Sequence, residues 1–247
     1  MTTENKLKTT AMITLAGIAM LTATVQGADL PKVERKPLFH DAFVNATWKS
    51  QYIGQRGFTM TKTPVLQTDV GFSIGKFNYD CWADYDINRE KVNEVDNSLS
   101  ISFDLGKPLR LDAQAIHFTS PSKDFADALE LGLGLKTKTL PVQLGFYAGQ
   151  IVGEGSEYGQ VYNFSVAKSF KLSERATLSF DSKLWFNDHY YTRGAGLSHA
   201  SANATLSYNL GRGFSIAPFV SVQKSIESFG GTFKDRVTGG IGLTKKF

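Results

Sequence analysis

FNYDCWADYD, residues 77–86, separates into two unlike sets when every second residue is taken. Phe77, Tyr79, Cys81, Ala83 and Tyr85 form one set; Asn78, Asp80, Trp82, Asp84 and Asp86 form the other. A period of two is that of a β-strand, whose successive side chains point to opposite sides of a sheet. In a protein folded in water the aromatic set would face the core and the acidic set the solvent. A barrel in a bilayer reverses that assignment, so the rest of the chain has to decide.

Helical periodicity is absent beyond the N-terminus. Strand-like segments follow one another at about 43–53, 64–75, 77–88, 93–105, 109–119, 125–135, 140–150, 158–170, 176–187, 197–210, 214–224 and 235–247. Short punctuation such as GK (75–76), GKP (106–108) and GRG (211–213) alternates with mostly longer connections such as GQRGFTMTKT and SIESFGGTFK. Short turns at one end and long loops at the other describe an up-and-down antiparallel barrel, all-β, with about twelve strands.

Three features favour a transmembrane barrel over a soluble sandwich. Apolar-face rings collect near the two ends: Phe72, Phe77, Phe103, Phe170, Tyr208, Phe214 and Phe247 by the short turns, Tyr52, Tyr85, Tyr158 and Phe186 by the long loops. Two such belts around an aliphatic middle match the two interfaces of a bilayer. Most segments are long enough for the roughly 9–11 residues of a tilted membrane-crossing strand. The last segment, RVTGGIGLTKKF, places Val237, Ile241, Leu243 and Phe247 on one face, as a closing strand requires. Phe77, Tyr79, Cys81, Ala83 and Tyr85 are therefore expected to face lipid.

The N-terminus supports export. Lys6 and Lys8 precede the apolar AMITLAGIAMLTATV and then the polar QGADLPK, the order of a secretory signal peptide. The expected organisation is a signal peptide over 1–27, a short periplasmic segment over 28–42 and an outer-membrane barrel over 43–247. Losing Lys6, Lys8 and Glu4 would bring the net charge from +4 to about +3. Charges of both signs are interspersed, which argues against a nucleic-acid partner. Cys81 is the only cysteine, so the barrel has to be stable without an internal disulfide.

The region 45–105 resembles the TorF-type porin family, small outer-membrane barrels. The resemblance is carried by QYIGQRGF, LQTDVGFSIGKF, CWADYD and NEVDNSLSISFDL. It picks out Arg56 and Gly57 in a turn, Gln67, Trp82, and the pair Glu94 and Asp96; where that pattern has an aromatic before the arginine, this chain has Gln55. The resemblance implies an architecture and a location more than a substrate. The terminal strand ending in Phe247 also resembles the signal read by the barrel-assembly machinery, and lipids and lipopolysaccharide are the expected surroundings.

Alternation points Asp69, Asp80, Asp84, Asp86, Glu94, Asp96, Asp104 and Asp112 inward, together with Lys49, Arg110, Lys183 and Arg236. Charges inside a barrel either pair with one another or line a water-filled path. The first reading gives a closed structural or adhesive barrel; the second gives a passive, cation-preferring channel for small polar solutes. His199 and Ser201 lie two apart, as in outer-membrane lipid hydrolases, but alternation places both on the polar face, away from lipid. Cations near the short turns, Lys76, Lys107, Lys136, Lys138, Lys171, Arg175, Arg212, Lys245 and Lys246, read as anchors beside headgroups. No metal-ligand spacing and no phosphate-binding glycine loop is present, and the expectation is a barrel with no cofactor and no enzymatic activity.

Signal cleavage is expected after Gly27, since Val25 and Gly27 are small and Ala28 opens the polar region. N-terminal sequencing of protein extracted from membranes should read Ala-Asp-Leu-Pro; a mature chain that still begins at Met1 would contradict export.

Overall fold

The computed structural model describes residues 40–54, 59–121, 127–152, 159–189, 194–227 and 233–247. The signal peptide, most of the 28–42 segment, Arg56, Gly57 and Tyr158 lie outside the described residues.

The strands are β1 (His40–Lys49), β2 (Tyr52–Ile53), β3 (Thr59–Thr61), β4 (Val65–Ile74), β5 (Phe77–Asp86), β6 (Lys91–Asp104) and β7 (Leu109–Thr119). They continue with β8 (Ala128–Thr137), β9 (Gln143–Val152), β10 (Gln160–Lys171), β11 (Ala176–Asp188), β12 (Ala195–Gly211), β13 (Phe214–Ser225) and β14 (Arg236–Lys246). β1 and β4 to β14 close into a twelve-stranded antiparallel barrel, and β2 with β3 forms a separate two-stranded sheet. From β4 to β14 each strand pairs with its neighbour in the chain, and β1 closes on β14 from Phe43↔Lys246 to Lys49↔Gly240. Gly75 and Gly213 take positive φ, 60° and 79°, in two of the short turns, a conformation that glycine adopts without steric cost.

The register settles which face is which. Phe77 lies between Ile74 and Ile101, and Tyr79 between Phe72 and Leu99. On the other face Asp80 lies between Gly71 and Ser98, Trp82 between Asp69 and Asp96, and Asp84 between Gln67 and Glu94. Large apolar side chains are the exposed ones: Leu133 is 54% exposed, Phe164 62% and Val237 66%. Charged Asp84, Asp86 and Glu130 are 0% exposed. The apolar set therefore points outward and the polar set into the barrel, the inverse of a water-soluble fold.

One aromatic departs from the expected belts. Tyr52 is not on the outer surface but 2% exposed inside the barrel. The first segment stops at Lys49 rather than running to 53, because Ser50 N–H bonds Gly239 O while Gln51 Nε2 donates to Val237 O at 2.8 Å. The chain is thereby turned inward at Tyr52. Trp48 and Tyr162 join Tyr85 and Phe186 in the outward face near the long loops. β12 starts two residues earlier than alternation predicts, because a bulge opposite Trp185 and Phe186 absorbs Ser198. A second bulge inserts Asn93 opposite Asp84 and Tyr85.

Three inward rings lie against glycines of an adjoining strand. A Cβ on Gly71 would come within 2.5 Å of the Phe43 ring, one on Gly240 within 2.5 Å of Phe219, and one on Gly132 within 2.6 Å of Tyr147 Cζ. These glycines let each ring rest on the wall instead of standing across the lumen. Gly132→Ala should therefore destabilise the barrel by about 1–3 kcal/mol through overpacking. Urea unfolding in detergent checks this: Gly132→Ala/Tyr147→Ala should be no less stable than Tyr147→Ala alone, and additive losses would contradict the contact.

Candidate functional site

All twelve charged residues expected inside fall on the inward face by register, but they do not form one continuous acidic wall. They divide into three levels with different partners.

At the short-turn end the acids are neutralised locally. Arg110 Nε donates to Asp112 Oδ1 at 2.6 Å and its Nη2 to Ser102 Oγ at 2.5 Å. Lys136 Nζ stands 3.3 Å from Asp112, and Lys138 Nζ donates to Asp104 at 2.8 Å. These pairs are largely exposed and stabilise the barrel little.

In the outer half the acids are buried and fix an inward-folded connection. Asp84 accepts from Gln67 Nε2 at 2.9 Å and from the bulged Asn93 Nδ2 at 2.7 Å. Asp86 accepts from Thr63 Oγ1 at 2.8 Å, Thr61 Oγ1 at 3.2 Å and the backbone N–H groups of Asn88 and Arg89. The Tyr52 hydroxyl donates to Glu94, and the Tyr52 ring lies 5.7 Å from that of Trp82. Asp96 is buried beside them, 2% exposed. Tyr52 and Thr61, from the β2–β3 sheet, and Thr63 beyond it thus fasten the first outer connection to β5 and β6 inside the barrel.

The opposite side of the outer half is packed with rings. Trp185 and His199 stack at 5.6 Å, and Phe233 also stacks with His199, at 5.1 Å. Phe233 arrives on the last outer connection, whose base is tied by the Lys224–Asp235 ion pair, by Ser225 N–H to Asp235 at 2.9 Å and by Gln223 Nε2 to Lys234 O at 3.2 Å. The Lys224 hydrogen bond holds the Asp235 carboxyl below its ordinary range. Between these groups, Ile116, Phe118, Ala128, Ile151 and Val161 cluster with Trp185, and Tyr147 packs beside them. Tyr147 donates its hydroxyl proton to buried Glu130 and accepts from Gln114 Nε2 at 2.9 Å.

His199 and Ser201 both face inward. His199 Nδ1 lies 3.0 Å from Ser198 Oγ, and its ring, stacked with Trp185 and Phe233, is buried. The pair has no route to a lipid substrate on the outer surface.

The middle level differs. Asp69 and Asp80 are half-buried on adjoining strands within hydrogen-bonding reach of each other, and the Phe43 ring rests on Gly71, opposite Asp80. β11 lies six strands from β5 around the ring of twelve, so half-buried Lys183 and the bonded pair Asn203–Asp181 (2.9 Å) occupy the opposite wall. Lys49 and Arg236 sit at the outer ends of β1 and β14, with Lys49 Nζ 5.9 Å from the Phe219 ring. Among the described residues, no group of three or more His, Cys, Asp or Glu side chains is placed to hold a metal ion.

Several residues of this interior were absent from the expected set. Glu130 was legible, since LELGLGL puts it on the same alternating face as the other acids. The inward turn of Tyr52 and the docking of Phe233 had no such signal, because both sit in connections without periodicity.

No protein-family model matches the chain, and no curated protein matches it. The TorF-type resemblance accordingly finds no counterpart there. The fold does have solved neighbours. The NanC porin in a rhombohedral crystal form superposes with a TM-score of 0.58 at 8% identity, covering 83% of this chain and 100% of that one. The KdgM porin gives 0.56 at 9% identity, covering 83% and 99%. The translocator domain of autotransporter NalP from Neisseria meningitidis gives 0.50 at 12% identity over the whole of both chains. At such identities the likeness is one of fold.

Tyr52→Phe removes the hydroxyl donor from a buried carboxylate and should cost about 1–3 kcal/mol. Unfolding by urea measures it, with limited proteolysis of the 50–64 connection as a second readout. Unchanged stability together with unchanged proteolysis would show that Tyr52 does not hold the connection.

Proposed function

We propose that this protein is a barrel of the bacterial outer membrane that passes small polar solutes passively, with a preference for cations. The observation that carries the reading is the inverted face polarity: apolar side chains outward around a closed barrel, polar and charged ones inward. A closed barrel satisfies its backbone without an edge, which is what a lipid-embedded sheet needs. The porin folds of NanC and KdgM support the same reading. The half-buried pair Asp69 and Asp80, whose side chains meet each other rather than a cation, is the group placed to bias ions at mid-depth, since the other inward acids are engaged by cations or neutral donors or are buried. The KdgM porin has also been solved in complex with disordered oligogalacturonate, a polyanion. A wall bearing Asp69 and Asp80 does not suit such a ligand.

A closed structural barrel is the second reading, favoured by the packing of the outer half: Tyr52 on Glu94, and Phe233 on His199 and Trp185. The β14 strand and exposed Phe247 are the segment that the assembly machinery would read, and lipopolysaccharide would surround the long-loop end.

Planar-bilayer recording separates the two readings. The channel reading expects discrete conductance steps and a reversal potential toward the cation equilibrium in a KCl gradient. Asp69→Asn/Asp80→Asn should move that potential toward zero, more at 0.1 M than at 1 M salt, because screening shortens the reach of charge from about 10 Å to 3 Å. A silent wild type would favour the closed barrel, and an unchanged reversal potential would remove the two carboxylates from selectivity.

A further inference from the structure

The outward surface carries charge unevenly. A lipid-facing lysine is costly at mid-membrane and nearly free at an interface, where its stem lies along apolar surface and its ammonium reaches the headgroups. Lys168 and Lys245 lie on the outward face of β10 and β14, and both are near the short-turn end. Lys168 Nζ is 5.0 Å from the Phe170 ring centroid; Lys245 Nζ is 4.6 Å from Phe214 and 5.5 Å from Phe247. Lys76, in the β4–β5 turn, stands 5.8 Å from the outward Phe103. Each ammonium is thus held at the level of an interfacial ring.

The acids do not cancel this collar. At the same end Asp112 is engaged by Arg110 and Lys136, and Asp104 chiefly by Lys138 with Lys76 nearby, while exposed Glu174 in the β10–β11 turn joins none of the ion pairs among the described residues. None of the ion pairs among the described residues includes Lys76, Lys168 or Lys245. The long-loop end differs: Lys224, the outward lysine among its described strand residues, is matched by Asp235. Among the described strand residues, the short-turn rim carries unpaired outward lysines, and the outward lysine at the other rim is paired.

We infer that Lys76, Lys168 and Lys245 form a binding collar for the phosphodiester headgroups of anionic phospholipid in the leaflet at the short-turn, periplasmic end. This inference rests on the membrane reading proposed above. Charge complementarity fixes the occupant: an ammonium over a ring keeps its remaining N–H donors for an anion at headgroup depth, and an anionic lipid presents its phosphate there. A zwitterionic lipid brings its own cation and gains less.

Spin-labelled lipid resonance on the full mature protein in phosphatidylcholine vesicles tests the collar. Trace spin-labelled phosphatidylglycerol is compared with trace spin-labelled phosphatidylcholine. A motionally restricted phosphatidylcholine signal reports that the barrel is in the bilayer; without it the membrane reading itself fails, and the collar with it. With that signal present, phosphatidylglycerol should associate roughly three- to fivefold more strongly. The preference should fall toward one in 1 M NaCl and in Lys76→Gln/Lys168→Gln/Lys245→Gln, and persist in Lys224→Gln. Equal association of the two labels, or a preference indifferent to salt, would overturn the collar. If the triple variant does not fold, the single variants Lys76→Gln, Lys168→Gln and Lys245→Gln decide the matter: each should lower the preference, and a preference unchanged in all three would overturn the collar.

Discussion

The pairing of β1 with β14 is the contact on which the rest of the structure depends. From Phe43↔Lys246 to Lys49↔Gly240 it converts a sheet with two open edges into a cylinder with none. An open edge leaves a row of N–H and C=O groups unpaired, which water tolerates and hydrocarbon does not. Once the ring is closed, period-two alternation has only two destinations, outside and lumen. Large apolar residues such as Leu133, Phe164 and Val237 can then occupy the outside without a core to bury them.

Closure also creates an interior that must be filled or wetted, and the two halves of the barrel solve this differently. Near the long loops, two neighbouring connections return inward: the one between β1 and β4 brings Tyr52 onto Glu94 and Trp82, the one between β13 and β14 brings Phe233 onto His199. Buried acids there act as anchors. Asp84 and Asp86 collect neutral donors and backbone N–H groups, an arrangement that satisfies carboxylate lone pairs inside protein. Along the wall, glycines at 71, 132 and 240 let Phe43, Tyr147 and Phe219 rest against the sheet, and Asp69, Asp80 and Lys183 remain half-buried on opposite walls.

The strands were legible in the sequence because a single physical rule, alternation, generates both their pattern and their orientation. FNYDCWADYD shows this directly, with Phe77, Tyr79 and Tyr85 outside and Asp80, Asp84 and Asp86 inside. The partners of the inward charges were not legible. Whether Asp84 faces water or Asn93 depends on a bulge, and whether Tyr52 joins a belt or enters the lumen depends on how Gln51 bonds to β14. Such choices are tertiary and leave no periodic trace. Hence the set of inward residues could be read, while their division into paired, buried and half-exposed levels could not.

The central claim is the inverted barrel, and a nitroxide scan of β13, with Cys81 replaced by alanine, tests it most directly. In vesicles, accessibility to oxygen, which concentrates in lipid, and to a water-soluble nickel chelate can be read at every position from Phe214 to Ser225. Ile216, Pro218, Val220 and Val222 should show oxygen maxima, and Ser215, Ala217, Phe219 and Ser221 should show oxygen minima with the chelate favoured among them. Reversed phase, or no period of two, would contradict the account.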